Sequence, residues 1–175
     1  MSAGPLLLVT GPPGAGKSTI ARLLTREWDL AVHVHTDDFY AWIASGYVEP
    51  WLPAAQHQNV TIVEAIARVA DGLAEGGYAV VVDGILGPWF LDPFRALHRD
   101  VAYVVLRPTL EEAEHRAGHR GDHPLKDLSV VGQMHAAFSE LGDLELHAID
   151  STGSTPEETV TEIHRRFAEG ALTLT

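Results

Sequence analysis

Apolar residues fall into two patterns along this chain: short, mostly apolar runs, and longer stretches where they return every three or four positions. The runs at 5–10, 30–35, 78–84, 101–106 and 144–149 have the length and content of buried strands. Helical spacing governs 20–24 and again 60–73, where Val60, Val63, Ala67 and Ala70 share one side and Gly76-Gly77 ends the run. Short helices are predicted at about 36–43, with Thr36 or Asp37 as the cap, and at 91–98. Thr109 with Glu112 reads as a capping box for a further helix, and Thr155-Pro156-Glu157-Glu158 as the start of the last one. Another helix spans 127–141, and the Gly- and Pro-bearing stretch 45–53 is a loop. Strands alternating with helices give an α/β fold, a parallel sheet covered on both faces. No repeat or linker interrupts it, so residues 1–175 are expected to form one domain.

The turn between the first strand and the first helix changes this from a fold to a site. Gly11-Pro12-Pro13-Gly14-Ala15-Gly16-Lys17-Ser18-Thr19 fits the P-loop pattern G-x-x-x-x-G-K-[ST] at every defined position. Gly14 and Gly16 let the backbone curl so that successive N–H groups converge on phosphate oxygens. Pro12 and Pro13 have no N–H, so the donors are expected from Gly14 through Thr19. The helix beginning near Lys17 adds its positive end. Lys17 is expected at the β- and γ-phosphates and the Ser18 hydroxyl at Mg²⁺. The spacing of Gly11, Gly14 and Gly16 does not make a dinucleotide G-x-G-x-x-G fingerprint.

Ligands of open α/β sheets sit beyond the carboxyl ends of strands, and two further strands end in carboxylates. Asp37, after the second strand, is the candidate general base for an acceptor hydroxyl. Its neighbour Asp38 is a weaker candidate that faces another way on a helix. Asp83, after the third strand, is the candidate second Mg²⁺ group; the alternative is a cap for the turn at Gly84. Glycine, not glutamate, follows Asp83, which favours transfer over hydrolysis. The absence of an Asn-Lys-x-Asp motif favours ATP over GTP. Arg116 and Arg120 bracket a polar, Gly-bearing segment suited to a lid, where a guanidinium stabilises charge on the transferred group. Arg107 is a third candidate, or a structural ion-pair partner. His115, His119 and His123 repeat every four residues, but Gly118, Gly121 and Pro124 break the helix that would align them on a metal.

Aromatic residues gather in two windows, one after the second strand (Phe39, Tyr40, Trp42, Tyr47, Trp51) and one after the third (Trp89, Phe90, Phe94). Both border the expected acceptor site. Asp38, Tyr40, Trp42, Trp51 and Trp89 are the candidate acceptor contacts, the alternative being that the rings pack helices onto the sheet.

A net charge of −12 with two lysines argues against nucleic acid as a partner and for a small-molecule acceptor. No run approaches the roughly 18 apolar residues of a membrane span. The chain has no cysteine and opens on Met1-Ser2-Ala3-Gly4 without a basic leader, so a cytoplasmic protein, monomer or homodimer, is expected.

The P-loop at 11–19, Thr-Asp-Asp-Phe at 36–39, Asp-Gly at 83–84 and the Arg-bearing segment 116–120 together make the chain resemble the small P-loop kinases. These include chloramphenicol phosphotransferase, gluconate, shikimate and nucleoside monophosphate kinases and, more distantly, zeta toxins. The resemblance implies a five-stranded parallel core in the order 2-3-1-4-5, an acceptor-binding region at about 38–60 and a lid at about 116–126. It also implies Asp37 as base and Ser151-Thr152-Gly153-Ser154 as the loop beside the adenine. The Asp-Gly-[FY]-Pro-Arg motif of nucleoside monophosphate kinases is replaced by Asp83-Gly84-Ile85-Leu86-Gly87, which argues against a nucleotide acceptor. The expectation is an ATP- and Mg²⁺-dependent phosphotransferase acting on a hydroxyl of an antibiotic or metabolite. The alternatives are a zeta-toxin-like kinase on a nucleotide sugar and a nucleotide-binding module without turnover.

Overall fold

The computed structural model describes residues 2–119 and 128–175. Its strands are β1 (Leu6–Thr10), β2 (Ala31–His35), β3 (Ala79–Asp83), β4 (Val101–Leu106) and β5 (Ala148–Ile149). They form one all-parallel sheet in the order β2-β3-β1-β4-β5. The helices are α1 (Lys17–Thr25), α2 (Thr36–Ala41), α3 (Gln56–Glu75), α4 (Asp92–Arg95), α5 (Leu110–Gly118), α6 (Leu128–Ala137) and α7 (Pro156–Ala168). None of the described helices is long and apolar enough to cross a membrane.

The period-two alternation of the strands decides which helix each side chain meets. Leu6, Leu8, Val80, Val82, Tyr103 and Val105 point to one face and pack with Val63, Ile66, Ala67 and Ala70 of α3. Leu7, Val9, Val81, Val104 and Leu106 point to the other and pack with Ile20, Ala21 and Leu24 of α1 and Val160 and Ile163 of α7. Both faces are therefore apolar, which is why the central strands read as continuous hydrophobic runs.

Several boundaries differ from the sequence expectation. The stretch expected as a fifth strand from residue 144 is a 3₁₀ segment, Gly142–His147, followed by a two-residue strand. Leu144 and His147 are both buried, at the three-residue repeat of such a turn, while Leu146 between them is 77% exposed. The edge of β4 that a longer β5 would cover is satisfied otherwise. His147 Nδ1 donates to the Tyr103 carbonyl at 2.9 Å, Tyr103 N–H donates to Leu172 O and Leu174 N–H to Val101 O.

Helix α3 starts at Gln56, four residues before its first apolar position, after a 3₁₀ turn at Pro53–Ala55. Helix α6 ends at Ala137, and α2 and α4 are shorter than expected. His35, not Thr36 or Asp37, holds the N-cap position of α2 and makes no side-chain cap bond. At Thr155 the full capping box forms with Glu158. At Thr109 only half of it does, because Glu112 turns its carboxylate to Arg116 at 2.7 Å.

Gly84 links fold to site. A Cβ at this position would lie 1.9 Å from Thr36 Oγ1, so the lack of a side chain lets the end of β3 meet the start of α2. Gly84→Ala should destabilise the protein by about 1–3 kcal/mol, as overpacking does elsewhere. Urea midpoints check this; an unchanged midpoint would mean the contact relaxes freely.

Candidate active site

The P-loop needs its glycines for two reasons. Gly11, Gly14 and Gly16 all have positive φ (141°, 80° and 88°). At Gly11 a Cβ would also meet the Leu106 carbonyl at 2.1 Å, and at Gly14 that of Ala113 at 2.0 Å. The loop is thereby pressed against β4 and α5, with Gly11 and Ala15 buried behind it. Not every amide from Gly14 to Thr19 points outward: Ala15 N–H donates to Pro12 O and Thr19 N–H to Gly16 O. Gly16 caps α1 with no side-chain acceptor, and no acidic residue occupies the first turn. That leaves the positive helix end to an anion. Lys17 Nζ donates to the Pro12 carbonyl at 3.0 Å, folded back over its own loop.

Asp83 lies at the bottom of the site, 1% exposed, where β3 ends beside β1. Ser18 Oγ donates to its Oδ2 at 2.6 Å and His33 Nε2 to its Oδ1 at 2.5 Å. Burial alone would push the Asp83 carboxyl up. The hydrogen bonds from His33 and Ser18, with the charge of His35 and His33, outweigh it and hold the group below the usual 3.8. Such a carboxylate contributes its full stability above 3.8 and loses it as the pH falls further, through the folded-state value. In metal-free buffer the stability difference between the protein and Asp83→Asn should therefore shrink on acidification below 3.8. Urea midpoints across that range read it, and a constant difference would mean Asp83 is not held ionised.

The two oxygen donors, Ser18 and Asp83, adjoin each other at the foot of the P-loop. A hydroxyl and a carboxylate, with room for phosphate oxygens and water, suit Mg²⁺, which prefers few protein ligands. Among the described residues no His, Cys, Asp and Glu cluster of three or more makes an all-protein metal cage. The rings of His115 and His119 stand 4.4 Å apart, and His119 Nδ1 bonds the His115 carbonyl instead. His123 lies outside the described residues.

Asp37 faces this assembly across a cavity of about 1310 Å³ that Lys17, Ser18, Thr19, Asp37 and Asp83 all line. Its side chain is 74% exposed. His35 Nε2 stands between the carboxylates, 3.9 Å from Asp37 and 3.9 Å from Asp83. Neither His33 nor His35 was expected at the site. The alternation of β2 puts both histidines on the α1 side of the sheet, opposite Val32 and Val34, and the β2–β3 register sets His35 beside Asp83. The signal was there in the Val-His-Val-His run, but it needs the strand pairing to become readable. Arg22, four residues after Ser18 on α1, also lines the cavity and was not expected.

Of the expected acceptor contacts, Tyr40, Trp51 and Trp89 line the cavity. Asp38 and Trp42 do not. Asp38 turns outward, 4.0 Å from His35 Nδ1, and Trp42 packs on Phe39 with ring centres 4.5 Å apart. The wall that carries Trp51 is tied down by amides of α3. Gln58 donates to Val48 O at 2.7 Å and accepts from Val48 N–H at 2.9 Å; Asn59 donates to Pro50 O at 2.8 Å. Tyr40 OH donates to Asn59 Oδ1 at 3.2 Å, and burial, with Asp37 and Tyr47 nearby, pushes its pKa up to about 12. The phenol stays protonated.

Arg116 lines the cavity from α5, paired with Glu112 and donating from Nη2 to Ser151 O at 3.2 Å. Arg120, and most of the expected lid, lie outside the described residues. Arg107 is structural: it forks onto Glu145 and reaches the carbonyls of Phe138 and Ser139. The loop Ser151-Thr152-Gly153-Ser154 does not line the cavity. Thr152 Oγ1 accepts from Thr109 N–H, and the buried Ser151 Oγ has no hydrogen-bond partner.

A family profile described as "AAA domain" matches residues 6–141, from β1 through the P-loop to the end of the segment after α6. The chain belongs to this family. The AAA-domain chain is similar in sequence to the shikimate kinase of Pseudomonas fluorescens (strain Pf0-1), 27% identical over 93% of this chain and 96% of that one. It is likewise similar to the shikimate kinase of Streptomyces coelicolor, 28% identical over 90% and 92%. In three dimensions it is similar to a sugar kinase from Janibacter sp. HTCC2649, with TM-score 0.74, 20% identity and 95% of each chain covered. A tunicamycin resistance protein of Deinococcus radiodurans also shares the fold, with TM-score 0.65, 15% identity and coverage of 94% and 95%. This AAA-domain protein is a member of the small P-loop kinases, with their sheet order.

Proposed function

We propose that the protein is an ATP- and Mg²⁺-dependent phosphotransferase whose acceptor is a hydroxyl of a small molecule, an antibiotic or a metabolite. One observation carries this reading: a P-loop and an exposed carboxylate, Asp37, line the same cavity, with Asp83 and His35 between them. Lys17 and the loop amides hold the triphosphate. Ser18 and Asp83 would hold Mg²⁺, which when bound neutralises charge on the β- and γ-phosphate oxygens.

Asp37 orients the acceptor hydroxyl and takes its proton as the alcohol oxygen bonds the γ-phosphorus. The bond from that phosphorus to the β–γ bridging oxygen breaks, and ADP leaves. Arg116, released from Glu112, and Arg120 steady the charge on the moving phosphoryl group.

A screen of alcohols for ADP release above the water background tests the reading, with a phosphorylated product as the expected result. ATP should also raise stability by mass action, about 2.7 kcal/mol at a hundredfold excess over Kd. Stabilisation by ATP with no acceptor-stimulated ADP would instead mark a binding module. ADP release that no acceptor increases would mark a hydrolase.

A further inference from the structure

Among the described residues, the lysine and arginines that line the cavity come from two helices. Lys17 and Arg22 come from α1, and Arg116 from α5. A second part of the wall is built by α2, the stretch 43–53, the start of α3, the turn after β3 and α6. Among the described lining residues of that wall there is no lysine or arginine, and Asp37 is its one ionised group. Its surface is otherwise mostly aromatic and aliphatic, with Tyr40, Tyr47, Trp51 and Trp89 lining the space beside the polar Thr36, Gln56 and Asn59. Tyr47, Trp51 and Trp89 are each about half exposed (46%, 49% and 48%); Trp89 packs one side on Phe138 and Phe90, and Tyr47 OH donates to Glu49 at 3.1 Å.

Of the two carboxamides that line this wall, Gln56 and Asn59, the second serves the wall itself, as does Gln58 behind it. Both ends of the Gln58 carboxamide bond Val48, and both ends of Asn59 are engaged by Pro50 and Tyr40. Among the described side-chain amides of this wall Gln56 alone is left to donate to an anionic group, while ring stacking is well provided for. A carboxylate acceptor would lose its hydration against apolar rings, with no lysine or arginine among the described residues of that wall, and would face the like charge of Asp37. An uncharged ring meets no such penalty, and a cationic one gains from the indole faces and from Asp37. At about 1310 Å³ the cavity exceeds the usual 300–1,000 Å³ of a single ligand site, so a nucleotide and a ring-sized acceptor fit together.

We infer that the acceptor site takes a ring-bearing alcohol that is uncharged or cationic, and rejects carboxylates. This rests on the phosphotransferase reading of the same cavity. Three probes share one ring and one hydroxyl and differ in charge: indole-3-ethanol (neutral), tryptophanol (cationic) and indole-3-lactate (anionic). Each is titrated calorimetrically into the protein saturated with Mg²⁺ and a non-hydrolysable ATP analogue, beside shikimate. The neutral and cationic probes should bind about tenfold or more tightly than indole-3-lactate and shikimate. Trp51→Ala should weaken the two favoured probes without changing affinity for the nucleotide analogue. Tighter or equal binding of indole-3-lactate or shikimate overturns the inference. So does failure of all four to bind at millimolar concentration, because the wall is then no ring site. Turnover is scored separately with ATP. Binding of the favoured probes without phosphorylated product counts against phosphotransfer alone, and turnover of shikimate counts against the inference alone.

Discussion

Alanine in place of Asp37 should lower phosphoryl transfer by about 10²–10⁴-fold, the usual worth of a positioned base, with affinity for MgATP unchanged. The expectation follows from how little else Asp37 does. It is three-quarters exposed, and its one charged contact is His35 at 3.9 Å, too long for a hydrogen bond. Its removal leaves the P-loop, Ser18 and Asp83 with every contact they have. Single-turnover measurement of ADP formation, paired with calorimetric titration of ATP, separates the two effects. A parallel fall in ATP affinity would make Asp37 structural. Transfer within a few-fold of the parent would place the base elsewhere, with His35 the next group to test. Asp37→Asn refines the result. It keeps the shape and can still accept a hydrogen bond from an acceptor hydroxyl but cannot take its proton, so it should be nearly as slow as Asp37→Ala.

Lys17→Ala should act on both quantities at once. Transfer is expected to fall about 10²–10³-fold, as for loss of one preorganised donor, and ATP affinity to fall with it. Lys17 Nζ rests on the Pro12 carbonyl, 3.0 Å away, so the ammonium already sits over the loop and has a short path to the phosphates. Because it serves the outer phosphates, the loss of affinity should be larger for ATP than for ADP. Calorimetry on the two nucleotides checks this, and equal losses would place Lys17 away from the γ-phosphate. Folding should survive, since the helix that carries it is fixed by Ile20, Ala21 and Leu24 against the sheet.

The parts of this site legible in the sequence are those encoded within a few residues. The P-loop pattern fits in eight consecutive positions, Gly11 to Ser18, and Gly11, Gly14 and Gly16 all show positive φ. Asp37 and Asp83 were found because strand ends in an α/β sheet are where ligands lie. What escaped depends on partners far apart in the chain. His33 and Asp83 are 50 residues apart and meet through the β2–β3 register, which local patterning does not contain. Trp42 and Asp38 were placed at the acceptor by proximity in sequence, but the short helix α2 turns them away from the side that carries Asp37 and Tyr40. The shortened fifth strand failed for a similar reason: alternation at 144–149 imitates a strand, whereas the β4 edge was already occupied by His147 and by Leu172 to Leu174.

The amides of Gln58 and Asn59 fasten the 48–50 stretch to α3 without help from the phosphate end of the cavity. An acceptor then meets a finished surface whether or not the triphosphate has arrived. Steady-state kinetics should accordingly follow a random-order scheme, with intersecting lines in double-reciprocal plots and little synergy between the two substrates.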